Sequence, residues 1–261
     1  MRDDDVTTTT HEESPHLVAL AAAMRSLADR VSTEDGRPAL EELARISIER
    51  VPGAQWASLT ILRAGRFRTV AATHDEAVRA DELQYAIGSG PCVDAVLDDS
   101  MYLTGDVSTD ERWSTWGQRV NTELGVSSVL AQRLSLLDDS GAVAALNIYS
   151  TVPHAFDDEA VAMGLVLSTH GSLLVTAMLA RDRATNLLRA LESNREIGVA
   201  MGILMQRHQL TRDQAFDVLR VASQDSNRKL VDIAAEVADT GVLVIDRWPS
   251  ASRAQTQAPA V

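Results

Sequence analysis

The chain has 261 residues, 45% of them hydrophobic, which is enough to bury cores in two modest domains and makes a soluble two-domain protein the default. Its 24 Lys and Arg against 37 Asp and Glu leave a net charge of −13, a field that repels polyanions and excludes a generally basic nucleic-acid coat. One cysteine, Cys92, excludes an intrachain disulfide and a Cys-based zinc site, and it points to a reducing cytoplasm.

Residues 1–13 are polar, with four consecutive threonines and no periodicity, and read as a disordered tail. The acids Asp3, Asp4 and Asp5 stand where a secretory signal needs positive charge, so no signal peptide is read. Ser14 and Pro15 open a helix whose apolar positions Leu17, Leu20, Ala21, Met24, Leu27, Ala28 and Val31 recur at three- and four-residue steps. A second helix covers about 38–50, with Leu40, Leu43 and Ala44 on one face, and stops at Val51-Pro52-Gly53.

From Trp56 the period becomes two. Ala57, Leu59 and Ile61 alternate with Ser58 and Thr60, and Phe67 to Ala72 returns as a second strand after the Ala64-Gly65 turn. A loop-rich middle follows. Gly88-Ser89-Gly90 lacks the third glycine of a dinucleotide fingerprint and precedes Pro91, so it reads as a turn. Further strands are expected at Met101–Leu103, Ser128–Leu137 and Val143–Tyr149, with a short helix at about 110–124 and a turn at Asp138-Asp139-Ser140-Gly141.

Asp157 or Asp158 caps the next helix, which meets no stop signal until about His208. Its apolar run from Met163 to Ala180 is broken by Ser168, Thr169, His170, Ser172 and Thr176 and falls short of a membrane span. Ala177, Ala180, Ala184, Leu187, Leu191, Asn194, Gly198, Met201 and Met205 stand at alternating steps of three and four, the heptad pattern. They predict a coiled-coil junction and a homodimer, with Asn194 as the polar position that fixes register. The bland alternative breaks the helix near Arg181.

Thr211 and Gln214 have capping-box spacing for a following helix, whose core face is Ala215, Val218 or Leu219, and Ala222 with Phe216 beside it. A last helix starts near Ser226 and buries Leu230, Ile233, Ala234 and Val237. All of these apolar residues, Phe216 included, read as packing, and Gly202 as a point of close helix approach. Residues 246–261 read as a second disordered tail.

The architecture is therefore α+β: an antiparallel sheet with helices, joined by a long helix to a three-helix bundle. Two resemblances divide it. The motifs Val51-Pro52-Gly53-Ala54, Gly88-Ser89-Gly90-Pro91-Cys92, Arg112-Trp113, Ser127-Ser128-Val129-Leu130 and Ala145-Leu146-Asn147-Ile148-Tyr149-Ser150 resemble, in order and spacing, a GAF domain, placed within 14–180. Ile197-Gly198-Val199-Ala200-Met201-Gly202-Ile203-Leu204-Met205, Ala215-Phe216-Asp217-Val218-Leu219 and Ser226-Asn227-Arg228-Lys229-Leu230 resemble the ANTAR domain, an RNA-binding antitermination module, over 183–244. The ANTAR resemblance implies a dimer that binds two adjacent small RNA hairpins in a leader transcript and prevents a terminator from forming. One position departs from that family, since Met201 stands before Gly202 where lysine is common.

Residues 183–240 hold eight Arg or Lys against eight Asp or Glu, so the acidity sits upstream and the helical domain is neutral. Its polar set for RNA is Ser223, Gln224, Asn227, Arg228 and Lys229, with Arg195 and Arg220. Asn227 is the candidate reader of unpaired base edges, and Arg228 and Lys229 are the candidate phosphate contacts. Asn227 capping the last helix, and charges that are merely solvated, are the structural alternatives.

The GAF resemblance implies a small-molecule ligand, which the residues do not identify. Cys92 is a redox-sensor candidate if exposed as thiolate and a small core residue otherwise. His74, His154 and His170 have no ligand-like spacing, so no metal is expected. Two other functions stand beside RNA binding. A DNA-binding regulator is one, disfavoured by the acidic chain. A GAF-type enzyme such as a methionine-sulfoxide reductase is the other, and it would need a second thiol. No catalytic residues and no Gly-x-Ser-x-Gly elbow are read.

Overall fold

The computed structural model describes residues 36–98, 100–137 and 141–243. The expected first helix, both tails and most of the 138–141 turn lie outside them. The chain divides into two compact units, Met1–Arg181 and Asp182–Val261.

In the first unit, helix α1 (Arg37–Arg50) starts with Pro38 in its first turn and buries Leu40, Leu43, Ala44 and Ile46. Strands β1 (Trp56–Arg63) and β2 (Arg66–Ala72) form the predicted hairpin, closed through Ala64 and Gly65, both at positive φ. Strands β3 (Met101–Thr104), β4 (Ser128–Leu134) and β5 (Val143–Ser150) complete a five-stranded sheet ordered β2-β1-β5-β4-β3, antiparallel at every pairing. Strand β4 stops at Leu134, three residues before the expected end, and Leu137 is exposed.

The middle of this unit is helical where loops were expected. Helix α2 (Asp75–Ile87) opens with Asp75 and Glu76 in its first turn and ends on Gly88 in the left-handed region, while α3 (Pro91–Asp98) follows the Gly88–Gly90 turn. The buried side of α2 carries Asp81 and Gln84 as well as Ala77 and Ala80, so its apolar stripe is interrupted, and α3 is only eight residues long. Neither gives a clean 3.6-residue pattern. A single 3₁₀ turn at Glu111–Trp113 leads into α4 (Ser114–Leu124).

The sheet has two different faces because successive side chains alternate. One presents Leu59, Ile61, Leu130, Leu134, Leu146 and Ile148 to α1 and to buried residues Leu167, Leu174, Val175 and Leu179 of α5 (Asp158–His208). The other carries Ser58, Thr60, Asn147 and Tyr149, and its apolar partners are Ala77, Ala80, Trp113, Trp116 and Val120. The Trp113 indole donates to Asp94 at 2.6 Å, and the Arg112 guanidinium lies 4.3 Å over the Trp113 ring while its fork grips Asp110.

Helix α5 begins where Asp157 accepts from the Ala160 N–H at 2.9 Å, and it runs without a break past Arg181. Among the described residues it is the one helix long and apolar enough to cross a membrane, yet its 160–179 stretch packs on the sheet through Ala160, Leu167, Leu174, Val175 and Leu179.

In the second unit, the end of α5 packs with α6 (Arg212–Ser226) and α7 (Leu230–Thr240) around Ala200, Leu204, Ala215, Val218, Leu219, Ala222, Ile233, Ala234 and Val237. The predicted capping box is present: Thr211 accepts from the Gln214 N–H and Gln214 accepts from the Thr211 N–H at 2.9 Å. The last helix starts at Leu230, not near Ser226, because Asn227 turns left-handed and ends α6 one residue after Ser226. Arg207 closes the bundle by donating to the Gly241 carbonyl at 2.6 Å. Gly202 is exposed, and a Cβ there would meet no described atom within 4 Å, so it is not a point of close helix approach within the bundle.

Candidate nucleic-acid interface

The junction of α6 and α7 is built from the backbone outward. Asn227 adopts φ 52°, ψ 33°, a conformation asparagine tolerates better than most residues, and its N–H reaches the Gln224 carbonyl at 3.4 Å. It thus caps the end of α6 and not the start of α7. The Arg228 N–H then donates to the Ser223 carbonyl at 3.2 Å, and the Ser223 hydroxyl donates to the Arg228 carbonyl at 2.6 Å. These reciprocal bonds satisfy orphan carbonyls at the helix end and hold the turn in one shape. Lys229 occupies the cap position of α7, where its carbonyl accepts from Asp232 at 3.0 Å and from Ile233 at 3.3 Å.

The side chains that leave this turn differ in freedom. Gln224, Asn227, Arg228 and Lys229 are exposed and Ser223 is half-buried. Arg228 pairs with Glu236 of α7 at 2.8 Å, beside a groove of about 280 Å³ lined by Ser226, Ile233, Val242 and Leu243. Arg220, one turn earlier on α6, is bound to Asp217 at 3.0 Å. Lys229 makes no ion pair among the described residues. Both ion pairs are exposed, where such pairs contribute about 0–1 kcal/mol, so a phosphate competes with them at little cost. Five of the seven predicted residues therefore gather at one turn, with Arg220 adjoining on the same helix. Arg195 stands apart on α5, exposed, five residues before the first buried core position at Ala200.

The sequence pattern places Phe216 in the core. It is 42% exposed, whereas Ala215, Val218, Leu219 and Ala222 of the same helix are buried. Its neighbours four residues away on either side are Arg212 and Arg220, both exposed. The i±4 spacing was legible, and the aromatic drew it toward the core reading.

Residues 185–237 match the ANTAR domain family. The match covers the second half of α5, all of α6 and most of α7, so the ANTAR region coincides with the three-helix bundle and contains every residue of the junction. No curated protein is similar enough to match. Solved structures similar to the chain include the GAF domain of a phosphoenolpyruvate-protein phosphotransferase from Coxiella burnetii, at 19% identity and TM-score 0.47, covering 67% of this chain and 99% of that one. A GAF domain of the corresponding Acinetobacter protein has 13% identity and TM-score 0.47, covering 62% and 95%. A type II free methionine-R-sulfoxide reductase from Thermoplasma acidophilum has 18% identity and TM-score 0.44, covering 54% and 92%. At these values the similarities say nothing about ligand or activity.

Upstream of the ANTAR region, the polar face of the sheet holds the densest buried polar cluster. Asp81 is fully buried and accepts from the Tyr149 hydroxyl at 2.5 Å, the Asn147 amide at 3.0 Å, and the Thr69 hydroxyl at 2.8 Å. Burial pushes the Asp81 carboxyl above its usual range, against the hydrogen bonds that favour its ionised form. Gln84 extends the cluster, donating to Tyr149 at 3.2 Å and accepting from the Cys92 N–H at 2.7 Å. The Asn147 side-chain oxygen is buried with no hydrogen-bond partner among the described residues.

Cys92 lies in the same region, wholly buried beside Val96 and Ala145. Burial, and then the charge of Asp81, push its thiol upward, which keeps it protonated at neutral pH and holds its sulfur away from oxidants in this conformation. That placement matches the small-core-residue alternative. Among the described residues, no three His, Cys, Asp or Glu gather to hold a metal ion.

Proposed function

We propose that the protein is a signal-responsive RNA-binding regulator that promotes transcription antitermination by binding paired stem-loops in leader transcripts. The observation that carries this reading is the ANTAR match over a bundle whose α6–α7 turn, Ser223 to Lys229, is tied by reciprocal hydrogen bonds and open in side chains. Asn227 and Gln224 offer amides to unpaired base edges, and Arg228, Lys229, Arg220 and Arg195 meet phosphates. In this reading the first unit is a GAF-type sensor of a small molecule, working in the cytoplasm.

A homodimer completes the reading. Ala180, Ala184, Leu187, Leu191, Asn194 and Gly198 are all exposed at heptad spacing on α5, with Leu187 at 62% and Leu191 at 56%. Met201 and Met205, the last two positions, are half-buried against the bundle's own core, so the stripe offered to a second chain centres on 180–198.

The enzyme alternative has less support. A two-thiol reductase mechanism cannot run on one cysteine, and Cys92 is buried. In vitro transcription across a crosslinked leader separates the possibilities: the full-length protein, with its signal supplied by cell extract, raises read-through past the terminator. Unchanged read-through, together with turnover of a substrate, contradicts the proposal.

A further inference from the structure

Among the described residues of the bundle Phe216 is the only aromatic, it stands 42% exposed, and its placement is specific. Helix α6 turns Ala215, Val218, Leu219 and Ala222 inward, while Arg212, Phe216 and Arg220 follow one another at four-residue steps on a single exposed strip. Each step is about 6 Å along the helix. Ser223, which ties the α6–α7 turn together, lies one further turn along the same side. Arg212 makes no ion pair among the described residues, and Arg220 is held only by exposed Asp217. Asp213 and Asp217 border the strip, so it is not a uniformly basic surface.

An exposed phenylalanine flanked by two guanidinium groups offers a flat apolar face between two cations. Every base has a π-face, and base–aromatic stacking needs no particular hydrogen-bond pattern. The phosphates on either side of a splayed base are anionic, and each guanidinium can take two phosphate oxygens. A folded protein partner would cover Phe216 with apolar side chains and leave two arginines to be desolvated or paired with carboxylates. The strip's chemistry suits single-stranded nucleic acid better.

Resting on the RNA-binding reading, we infer that Phe216 is a stacking platform for one unpaired base of the bound RNA, with Arg212 and Arg220 holding the flanking phosphates. The strip extends the interface from the α6–α7 turn along α6 toward its start. Phe216 supplies contact that is insensitive to salt, and the arginines supply contact that is not.

The test uses full-length protein and the two-hairpin transcript most enriched by crosslinking in cells, with 2-aminopurine substituted in turn at each loop position. The wild type quenches the probe at one position on binding. Phe216→Leu, which keeps apolar volume but not the ring, loses that quenching and weakens binding roughly 5- to 150-fold, with the salt slope unchanged. Phe216→Tyr retains both. Arg212→Ala lowers the salt slope by about 0.7. If Phe216→Leu binds and quenches like wild type, or if it changes only the sedimentation of the free protein, the stacking assignment is overturned. If the wild type ignores the RNA altogether, it is the RNA-binding reading itself that fails.

Discussion

Replacing Leu187 and Leu191 together with alanine strips the apolar stripe on α5 of its two largest side chains. Leu187 is 62% exposed and Leu191 56%, so more than half of each side chain remains for a partner to cover. Full burial of a leucine is worth roughly 1.5–3 kcal/mol, which leaves about 1–2 kcal/mol per side chain for association. A symmetric pair of helices contributes four such leucines, or about 4–7 kcal/mol in all. At about 1.4 kcal/mol per decade, the dimer Kd of the double variant rises roughly 10³- to 10⁵-fold. Sedimentation across a concentration series reads this directly, and circular dichroism checks that the helices persist. Leu97→Ala is the control, since Leu97 is 61% exposed on α3 and not part of the heptad stripe, and it leaves the Kd unchanged. A wild-type monomer at every concentration, or a double variant that dimerises like wild type, refutes the heptad reasoning.

Three further outcomes follow from the site and the core. Arg228→Ala with Lys229→Ala weakens RNA binding and lowers the salt slope by about 0.7 for each lost phosphate contact, with thermal unfolding nearly unchanged because the Arg228–Glu236 pair is exposed. Asp81 has its carboxyl raised in the folded state. Its protonation therefore favours folding fully below the unfolded pKa, and that contribution is lost as pH rises through the folded value. Asp81→Asn should gain stability relative to wild type across that window, by up to about 1.4 kcal/mol per pH unit in paired denaturant titrations, and a gap that does not vary with pH would contradict it. Cys92 should resist thiol reagents in native buffer and react at the rate of unfolding, as labelling under increasing urea will show; prompt native labelling would reopen the sensor reading.

The sequence made the second unit more legible than the first, for physical reasons. Thr211 and Gln214 declare a helix start because the capping box is local, and the stripe of Ile233, Ala234 and Val237 declares a core face because one side of α7 is uniformly apolar. Strands β1 and β5 were readable from alternation and turn chemistry. Helix α2 was not, because Asp81 and Gln84 occupy its buried side, satisfied by Tyr149 and Asn147 from a distant strand and by Cys92 of the next helix. That is tertiary hydrogen bonding overriding a local pattern. At the junction, residue types alone placed Asn227 as a possible cap, but which helix it caps depends on a left-handed turn stabilised by Ser223 and Arg228. The exposure of Phe216 escaped for the opposite reason: an aromatic beside four buried positions reads as core until the bundle's packing shows which arc is open.

The most direct test is a binding competition with purified full-length protein, a crosslinked two-hairpin transcript, and duplex DNA of the same sequence, at several salt concentrations. The account predicts that the hairpin RNA is held, that duplex DNA fails to displace it, and that substitution at Arg228 and Lys229 flattens the salt dependence. Duplex DNA binding more tightly than the hairpins, or hairpin binding indifferent to both residues, would contradict it.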